Sequence, residues 1–252
     1  MVRVTLNLVP SFTVRQYVVE NLPLSEMASH FDAIEGSAYS VSLFTTWKNA
    51  AIDQVWLKCV EGQGPFDGDY FGATPAPKNR HPLPELSAEN CTAQLGVPGP
   101  SFERLPHFRM DFTPSSGEEL QSEFLVPRQN AVAAILEIAA MREKIAPLLH
   151  VSEIRTIAAD DLWMSPCYQQ DCVGIHFTWL PEWEKVKALL PEIESKLAAF
   201  DARPHWGKLF LSAGHIPQQY ARISDFRKLA QAYDPEGKFR NEFLDRNVFT
   251  MT

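Results

Sequence analysis

Apolar and polar side chains alternate along residues 172–179, and this alternation constrains the fold more than any other feature of the sequence. The apolar positions are Val173, Ile175, Phe177 and Trp179. Because the side chains of a β-strand point alternately to opposite faces, the pattern predicts a strand with its apolar face in a core. The same period places His176 and Thr178 together on the opposite, polar face.

A second polar strand is predicted over residues 150–157, where Glu153 and Arg155 lie two positions apart. If the two strands are neighbours, their polar faces form one platform that carries a carboxylate, a guanidinium, an imidazole and a hydroxyl group. Such a platform suits a small molecule rich in hydroxyl groups. The competing interpretation is that these side chains only line a solvated face, which antiparallel sheets often have.

The order of the predicted elements indicates an α+β fold. A strand, a helix and two further strands follow one another at roughly 14–60, and the same order recurs at roughly 120–179. This repeat favours a mostly antiparallel sheet flanked by helices on one face. A further helix is predicted over 181–199 with a kink at Pro191, and a short strand is predicted over 108–112.

Residues 62–105 interrupt this order with many prolines and glycines and without any periodicity. Long stretches of this kind inside compact domains are usually functional covers or disordered linkers. Aromatic residues in the stretch, among them Phe66, Tyr70 and Phe102, favour an ordered loop that packs on the domain.

Charge and cysteine usage exclude several classes of function. The formal net charge is −8, and no basic run is present to neutralise phosphates, so a nucleic-acid-binding role is not expected. No apolar run reaches the length of a membrane span. The cysteines, Cys59, Cys91, Cys167 and Cys172, lack the spacing of a zinc site. We therefore expect no metal site, reduced thiols and a cytoplasmic location.

Apolar residues also alternate at the start of the chain, over residues 2–8. The alternation predicts a half-buried strand. A strand that begins with the first residues suggests a segment cut from a longer sheet.

Several runs of the sequence resemble the C-terminal part of the alditol (xylitol) oxidases. These are flavoenzymes of the vanillyl-alcohol oxidase type, related to the aldonolactone oxidases. The resemblance covers nearly the whole chain. The runs that carry it are 151–156 (VSEIRT), 176–179 (HFTW), 203–208 (RPHWGK), 90–100, 103–108 and 234–244.

The resemblance implies a division of the chain into three parts. Residues 1–12 would be the last strand of an FAD-binding domain that precedes this sequence, and residues 13–204 would be the substrate-binding cap domain. Residues 205–252 would return to the FAD-binding domain, which would be the natural packing partner of the chain. The histidine that bonds FAD covalently in this family would lie outside the chain.

The resemblance also implies oxidation of the terminal CH–OH group of a polyol to an aldose, with O2 reduced to hydrogen peroxide. Glu153, Arg155, Thr178 and Lys208 would line the polyol site. Arg155 and Lys208 would lie near the reacting hydroxyl and the FAD, where cations favour alkoxide character. His176 would be a base or would orient Glu153, and the alternative is a hydrogen-bonded structural histidine.

Two other functions stay open from the sequence. A sugar-1,4-lactone oxidase of the same superfamily, similar to D-arabinono-1,4-lactone oxidase, would bind a ring lactone in place of an open-chain polyol. The runs 151–156 and 176–179 favour the polyol. A truncated module that binds a ligand or a partner without catalysis would also be consistent with a chain that lacks a flavin-binding domain.

Overall fold

The computed structural model describes residues 3–62, 70–112, 119–211 and 216–249. The chain divides into two compact units, the first of Met1–Leu43 and Ala51–Ser116 and the second of Phe44–Ala50 and Gly117–Thr252. The functional division at residues 12 and 204 that the resemblance implies stays a prediction.

The first unit contains the first β-α-β-β repeat. Its elements are β1 (Thr13–Pro23), α1 (Leu24–Glu35), β2 (Ser40–Thr45, which ends in the second unit), β3 (Ala51–Val60), β4 (Thr74–Pro75), β5 (Gly99–Pro100) and α2 (Ser101–Arg104), with a 3-10 turn at Ala88–Asn90. β1 pairs antiparallel with β3 and with the short strands β4 and β5. Met27, Phe31 and Ile34 of α1 are buried, because their spacing places them on one face of the helix.

The second unit contains the second repeat and the C-terminal helices. Its strands are β6 (Leu120–Pro127), β7 (Leu149–Ile157), β8 (Cys172–Trp179) and β9 (Arg203–Pro204). Its helices are α3 (Ala131–Ala140), α4 (Arg142–Ile145), α5 (Trp183–Ala198), α6 (Ile216–Gln219), α7 (Ile223–Tyr233) and α8 (Glu242–Leu244). Single turns lie at Arg128–Asn130, Ala146–Leu148 and Asp245–Phe249. β8 pairs antiparallel with β7 on one side and with β6 on the other, and β9 pairs with the free edge of β6.

The apolar face of β8 forms the core of the second unit. Val173, Ile175, Phe177 and Trp179 are all 0% exposed. The rings of Phe177 and Trp179 stack 4.9 Å apart, and the Trp179 indole donates a hydrogen bond to Ser122 Oγ at 3.1 Å. Helices α3 and α5 pack against β6 and against each other, so the helices and the sheet bury a common core.

The structure confirms the α+β fold with a mostly antiparallel sheet, and it confirms the repeat. In both repeats the first strand pairs with the third, β1 with β3 and β6 with β8. The helix predicted over 181–199 is α5, which continues through Pro191. The predicted kink at this proline stays a prediction.

The half-buried strand predicted over residues 2–8 is wrong for residues 3–8, the part that the structure describes. Residues 3–12 form no strand, and the side chains of Leu6 and Leu8 are 77% and 96% exposed. Within the described ranges no strand pairs with residues 3–8, so the backbone groups of these residues lack the partners that a sheet would supply. The assignment of residues 1–12 to an FAD-binding domain stays a prediction.

The strand predicted over residues 108–112 is also wrong. Phe108 forms a single bridge with Cys91, and the Phe112 amide then donates to the Arg109 carbonyl, which closes a turn. Residues 63–69 of the predicted cover loop lie outside the described residues. Within residues 70–105 the Gln94 side chain hydrogen-bonds to both backbone groups of Arg80, which fixes this part of the loop to itself.

Candidate functional site

The two polar strands predicted from the sequence are neighbours, which confirms the platform. β7 pairs antiparallel with β8, with Glu153 opposite His176 and Arg155 opposite Gly174. Residues directly opposite each other in an antiparallel pair point to the same face. Glu153, Arg155, His176 and Thr178 therefore share one face of the second unit, opposite the core.

The other neighbour of β8 adds a residue that the sequence interpretation missed. In β6, Glu123 lies opposite His176 and Gln121 lies opposite Thr178. A row of Glu153, His176 and Glu123 thus crosses the three strands on the polar face. The signal was present in the sequence, since Gln121 and Glu123 alternate with Ser122 and Phe124.

Lys208 reaches the same face from a turn that follows β9. The His205 amide donates to the Glu123 carbonyl and the Leu209 amide donates to the Gln121 carbonyl, both at 2.9 Å. Between these contacts the Lys208 amide donates to the His205 carbonyl at 3.1 Å, so the chain makes a turn beside β6. The Trp206 indole anchors this turn through a hydrogen bond to the Met164 carbonyl at 2.8 Å.

Glu123 joins the two cations of the site. Its side chain is 3% exposed. Lys208 Nζ donates to Oε2 at 2.5 Å, and Arg155 Nη2 donates to Oε1 at 3.0 Å. Both carboxylate oxygens therefore accept charge-assisted hydrogen bonds, which are stronger than neutral ones.

Gly174 provides the space in which this ion pair forms. It lies in the central strand β8, opposite Arg155 of β7 and opposite Leu125 of β6. A Cβ atom at Gly174 would lie 3.0 Å from Glu123 Oε1, which is closer than packed side chains ordinarily approach. The absence of a side chain at this position lets Arg155 and Glu123 meet across β8.

The contacts of His176 define which ring nitrogen carries the proton. Lys208 Nζ lies 2.7 Å from Nδ1, and Thr178 Oγ1 lies 3.0 Å from Nε2. Because an ammonium group can only donate, Nδ1 accepts and the neutral ring has its proton on Nε2, which donates to Thr178. In this arrangement the ring links Lys208 to Thr178, and Nε2 is not available as a base.

The pKa of the Glu123 carboxyl follows from opposing effects. Burial raises this pKa, but the hydrogen bond from Lys208 and the positive charges of Arg155 and Lys208 outweigh burial. The pKa is therefore held well below its ordinary value. The carboxylate stays ionised even in mildly acidic solution.

We expect Glu123 to contribute stability that is lost in acid. The unfolded chain takes up a proton near the ordinary pKa of 4.5, whereas the folded chain does not, so stability falls as pH drops below that value. Chemical denaturation of the wild-type chain and of Glu123→Gln at neutral pH and at about pH 3.5 measures this effect. The wild-type advantage should shrink in acid, and an advantage independent of pH would contradict the assignment.

Glu153 and Arg155 form the more open side of the site. Arg155 Nη1 lies 3.7 Å from Glu153 Oε2, and the two side chains are 41% and 13% exposed. Burial lowers the pKa of Arg155, but the carboxylates of Glu153 and Glu123 outweigh burial and raise the pKa above its ordinary value. Arg155 thus stays charged, and the two side chains together present donors and acceptors on this side of the site.

A cavity of about 450 Å³ borders the Lys208 side of the platform. Its lining residues are Glu119, Leu120, Gln121, Gly207, Lys208 and Leu209. The site as a whole offers hydrogen-bond donors on Lys208 and Arg155, an acceptor on Glu153, and a hydroxyl group on Thr178 that can donate or accept. Neighbouring hydroxyl groups, each of which both donates and accepts, match such a mixed set.

Charged and hydroxyl side chains thus share one sheet face, and this set of groups is chemically suited to a hydroxyl-rich ligand. The sequence model of the D-arabinono-1,4-lactone oxidase family matches residues 115–247. This match covers the second repeat, the polar face and the turn that carries Lys208. The chain belongs to the D-arabinono-1,4-lactone oxidase family.

The proteins to which the chain is similar include an alditol oxidase and two lactone enzymes. The chain is 47% identical to an alditol oxidase of a Streptomyces species over 241 residues, which are 95% of this chain and 57% of that protein. It corresponds to the C-terminal part of that oxidase. It is 26% identical to L-gulonolactone oxidase of Mus musculus and 27% identical to L-gulono-1,4-lactone dehydrogenase of Mycobacterium tuberculosis, each over 130 residues.

The matches cover the relatives unequally. The chain spans just over half of the alditol oxidase, and the two lactone enzymes match about half of the chain and 30% of their own length. In the described parts of the chain, no helix is both long and apolar enough to cross a membrane.

Proposed function

We propose that the chain is the substrate-binding portion of an FAD-dependent alditol oxidase. The reaction would convert the terminal CH–OH group of a polyol to an aldose and reduce O2 to hydrogen peroxide. The observation that carries the proposal is the meeting of Glu153, Arg155, Thr178 and Lys208 on one face. The 47% identity with an alditol oxidase over 95% of the chain supports the same reaction class.

The proposed polyol site uses each group for a different hydrogen bond. The Glu153 carboxylate accepts from two neighbouring hydroxyl groups, and the Arg155 guanidinium donates in a fixed geometry. Thr178 Oγ1 accepts the proton of His176 Nε2, so its own hydroxyl proton is directed to a ligand oxygen. Lys208 and Arg155 donate to the oxygen of the reacting hydroxyl, where positive charge stabilises developing alkoxide character.

The donor set of the site also fits a flavin at its open side. Lys208 and Arg155 would face the cofactor ring, since two cations suit a ring system that becomes electron-rich on reduction. FAD, when bound, supplies the acceptor for the hydride that leaves the carbinol carbon. The sequence has no glycine-rich loop of the phosphate-cradling type, so we place the phosphate contacts in a preceding domain, against residues 1–12 and 205–252.

A sugar-1,4-lactone oxidase is the second candidate function. It is favoured by the matching family model, which bears the name D-arabinono-1,4-lactone oxidase, and by the gulonolactone relatives. These relatives are much less similar to the chain than the alditol oxidase is. A non-catalytic binding module is the third candidate.

We also propose a cytoplasmic location. Cys59, Cys91, Cys167 and Cys172 are all buried free thiols, and an oxidising compartment would favour disulfide bonds.

We expect the purified 252-residue chain to show no flavin absorbance and no hydrogen peroxide production from xylitol or sorbitol. The reason is that it lacks a phosphate-cradling loop. Joined to the preceding part of the Streptomyces alditol oxidase, it should form peroxide faster from xylitol than from D-arabinono-1,4-lactone. A fusion that holds FAD and prefers the lactone would support the second candidate, and one that holds FAD but oxidises neither would support the third.

A further inference from the structure

We propose that Glu123 is a specificity-determining counter-ion that restricts the site to uncharged polyols and excludes sugar acids. This inference rests on the proposed function, because it concerns the ligand of the same site. It is carried by the burial of Glu123 and by its direct contacts with both cations of the site.

The charges on the polar face leave no positive excess. Lys208 and Arg155 are matched by Glu123 and Glu153, all connected by ion pairs. His176 is neutral in the hydrogen-bond arrangement described above. Two further titratable groups lie nearby, and neither adds a positive charge. Glu119, which lines the adjoining cavity, is an acid. Burial lowers the pKa of His205, which favours the uncharged form of its ring.

The position of Glu123 makes its negative charge effective. A carboxylate at the surface is screened by water and salt, whereas a buried one interacts more strongly with its neighbours. Glu123 is 3% exposed and lies beneath the two cations. It therefore cancels the attraction that Lys208 and Arg155 would otherwise exert on a carboxylate or phosphate ligand.

The same contacts leave hydrogen-bond donors for a neutral hydroxyl group. Within the described residues, Lys208 Nζ directs one hydrogen to Glu123 and one to His176, and an ammonium group has a third. Arg155 Nη2 is directed to Glu123, while its 41% exposed side chain keeps further N–H groups toward solvent. The site thus keeps its donors without a net positive charge.

Xylitol and xylonate are a matched pair of probes, because they differ only in the replacement of a terminal CH2OH group by a carboxylate. Binding of each to the full chain is measured by calorimetry or by NMR titration. We expect wild-type protein to prefer xylitol. In Glu123→Gln, which keeps the side-chain shape and removes the charge, the ratio of the two affinities should shift toward xylonate by about tenfold or more.

Glu20→Gln is the control, because Glu20 makes a similar two-point ion pair with Arg80 at 2.6 and 2.8 Å in the other unit. It should leave the ratio unchanged. If Glu123→Gln does not fold, Lys208→Gln tests the same idea from the opposite side. That variant removes a cation and should shift the ratio further toward xylitol.

The outcomes separate this inference from the proposed function. Wild-type protein that binds neither probe would contradict the proposed polyol site and, with it, the role of Glu123. Binding of xylitol with an unchanged ratio in Glu123→Gln would overturn the inference alone. Preference of the wild-type chain for xylonate would do the same.

Discussion

Lys208→Ala is expected to lower kcat for polyol oxidation by about 10²–10³-fold, which corresponds to about 2.7–4 kcal/mol of transition-state stabilisation. The variant is made in the chain joined to a flavin-binding domain, and peroxide formation is measured with xylitol. The ammonium group is held by Glu123 Oε2 and His176 Nδ1, so it is positioned before the substrate binds. A fixed charge of this kind stabilises an alkoxide without having to reorganise during the reaction.

The kinetic pattern distinguishes this role from simple binding. Loss of an interaction that strengthens in the transition state lowers kcat as well as kcat/KM, whereas loss of uniform binding raises KM alone. Lys196→Ala is a suitable control, because Lys196 pairs with Glu137 on the helix surface and both side chains are at least 41% exposed. Wild-type turnover in Lys208→Ala would remove Lys208 from the site.

We expect Arg155→Ala to lower kcat by a similar factor.

The strands of the site could be predicted because their signal is local. In β8 the alternation of apolar and polar residues indicates the face on which each side chain lies. The apolar residues at positions 173, 175, 177 and 179 are fully buried, as predicted. The spacing of Glu153 and Arg155 likewise requires no knowledge of other strands. Strand type and side-chain face follow from the period of two.

The missed residues depend on strand pairing, which the local pattern does not contain. Glu123 becomes part of the site because β6, far away in the sequence, lies beside β8 in the register that places it opposite His176. Gly174 acquires its role only when Arg155 and Glu123 lie on either side of it. Register is a property of the whole sheet, so the central carboxylate was recognised as a strand residue but not as a site residue.

The strand that the sequence wrongly predicts at the N-terminus shows what an alternating pattern leaves out. Residues 3–8 alternate as regularly as β8 does, yet their apolar side chains are exposed. Alternation describes which side of a strand each residue would occupy, but a strand also requires a partner for its backbone groups. Alternation alone is therefore not sufficient for a half-buried strand.

Glu123→Leu should reduce the free energy of unfolding at neutral pH by about 3 kcal/mol, the lower end of the usual range for breaking a buried ion pair. The substitution leaves Lys208 and Arg155 facing each other without their shared carboxylate. Arg155 recovers part of its hydration because its side chain is 41% exposed, which keeps the loss at the lower end. Urea denaturation followed by circular dichroism measures the change.

Glu137→Leu is the matched control for this measurement. Glu137 accepts a hydrogen bond from Lys196 at 2.9 Å, but this pair lies at the surface of the same unit. Exposed pairs contribute at most about 1 kcal/mol, because water replaces the lost partner. If both variants lost the same small amount, Glu123 would behave as a surface residue. The two cations would then be held by contacts other than the carboxylate, and the arrangement of Lys208 would no longer require Glu123.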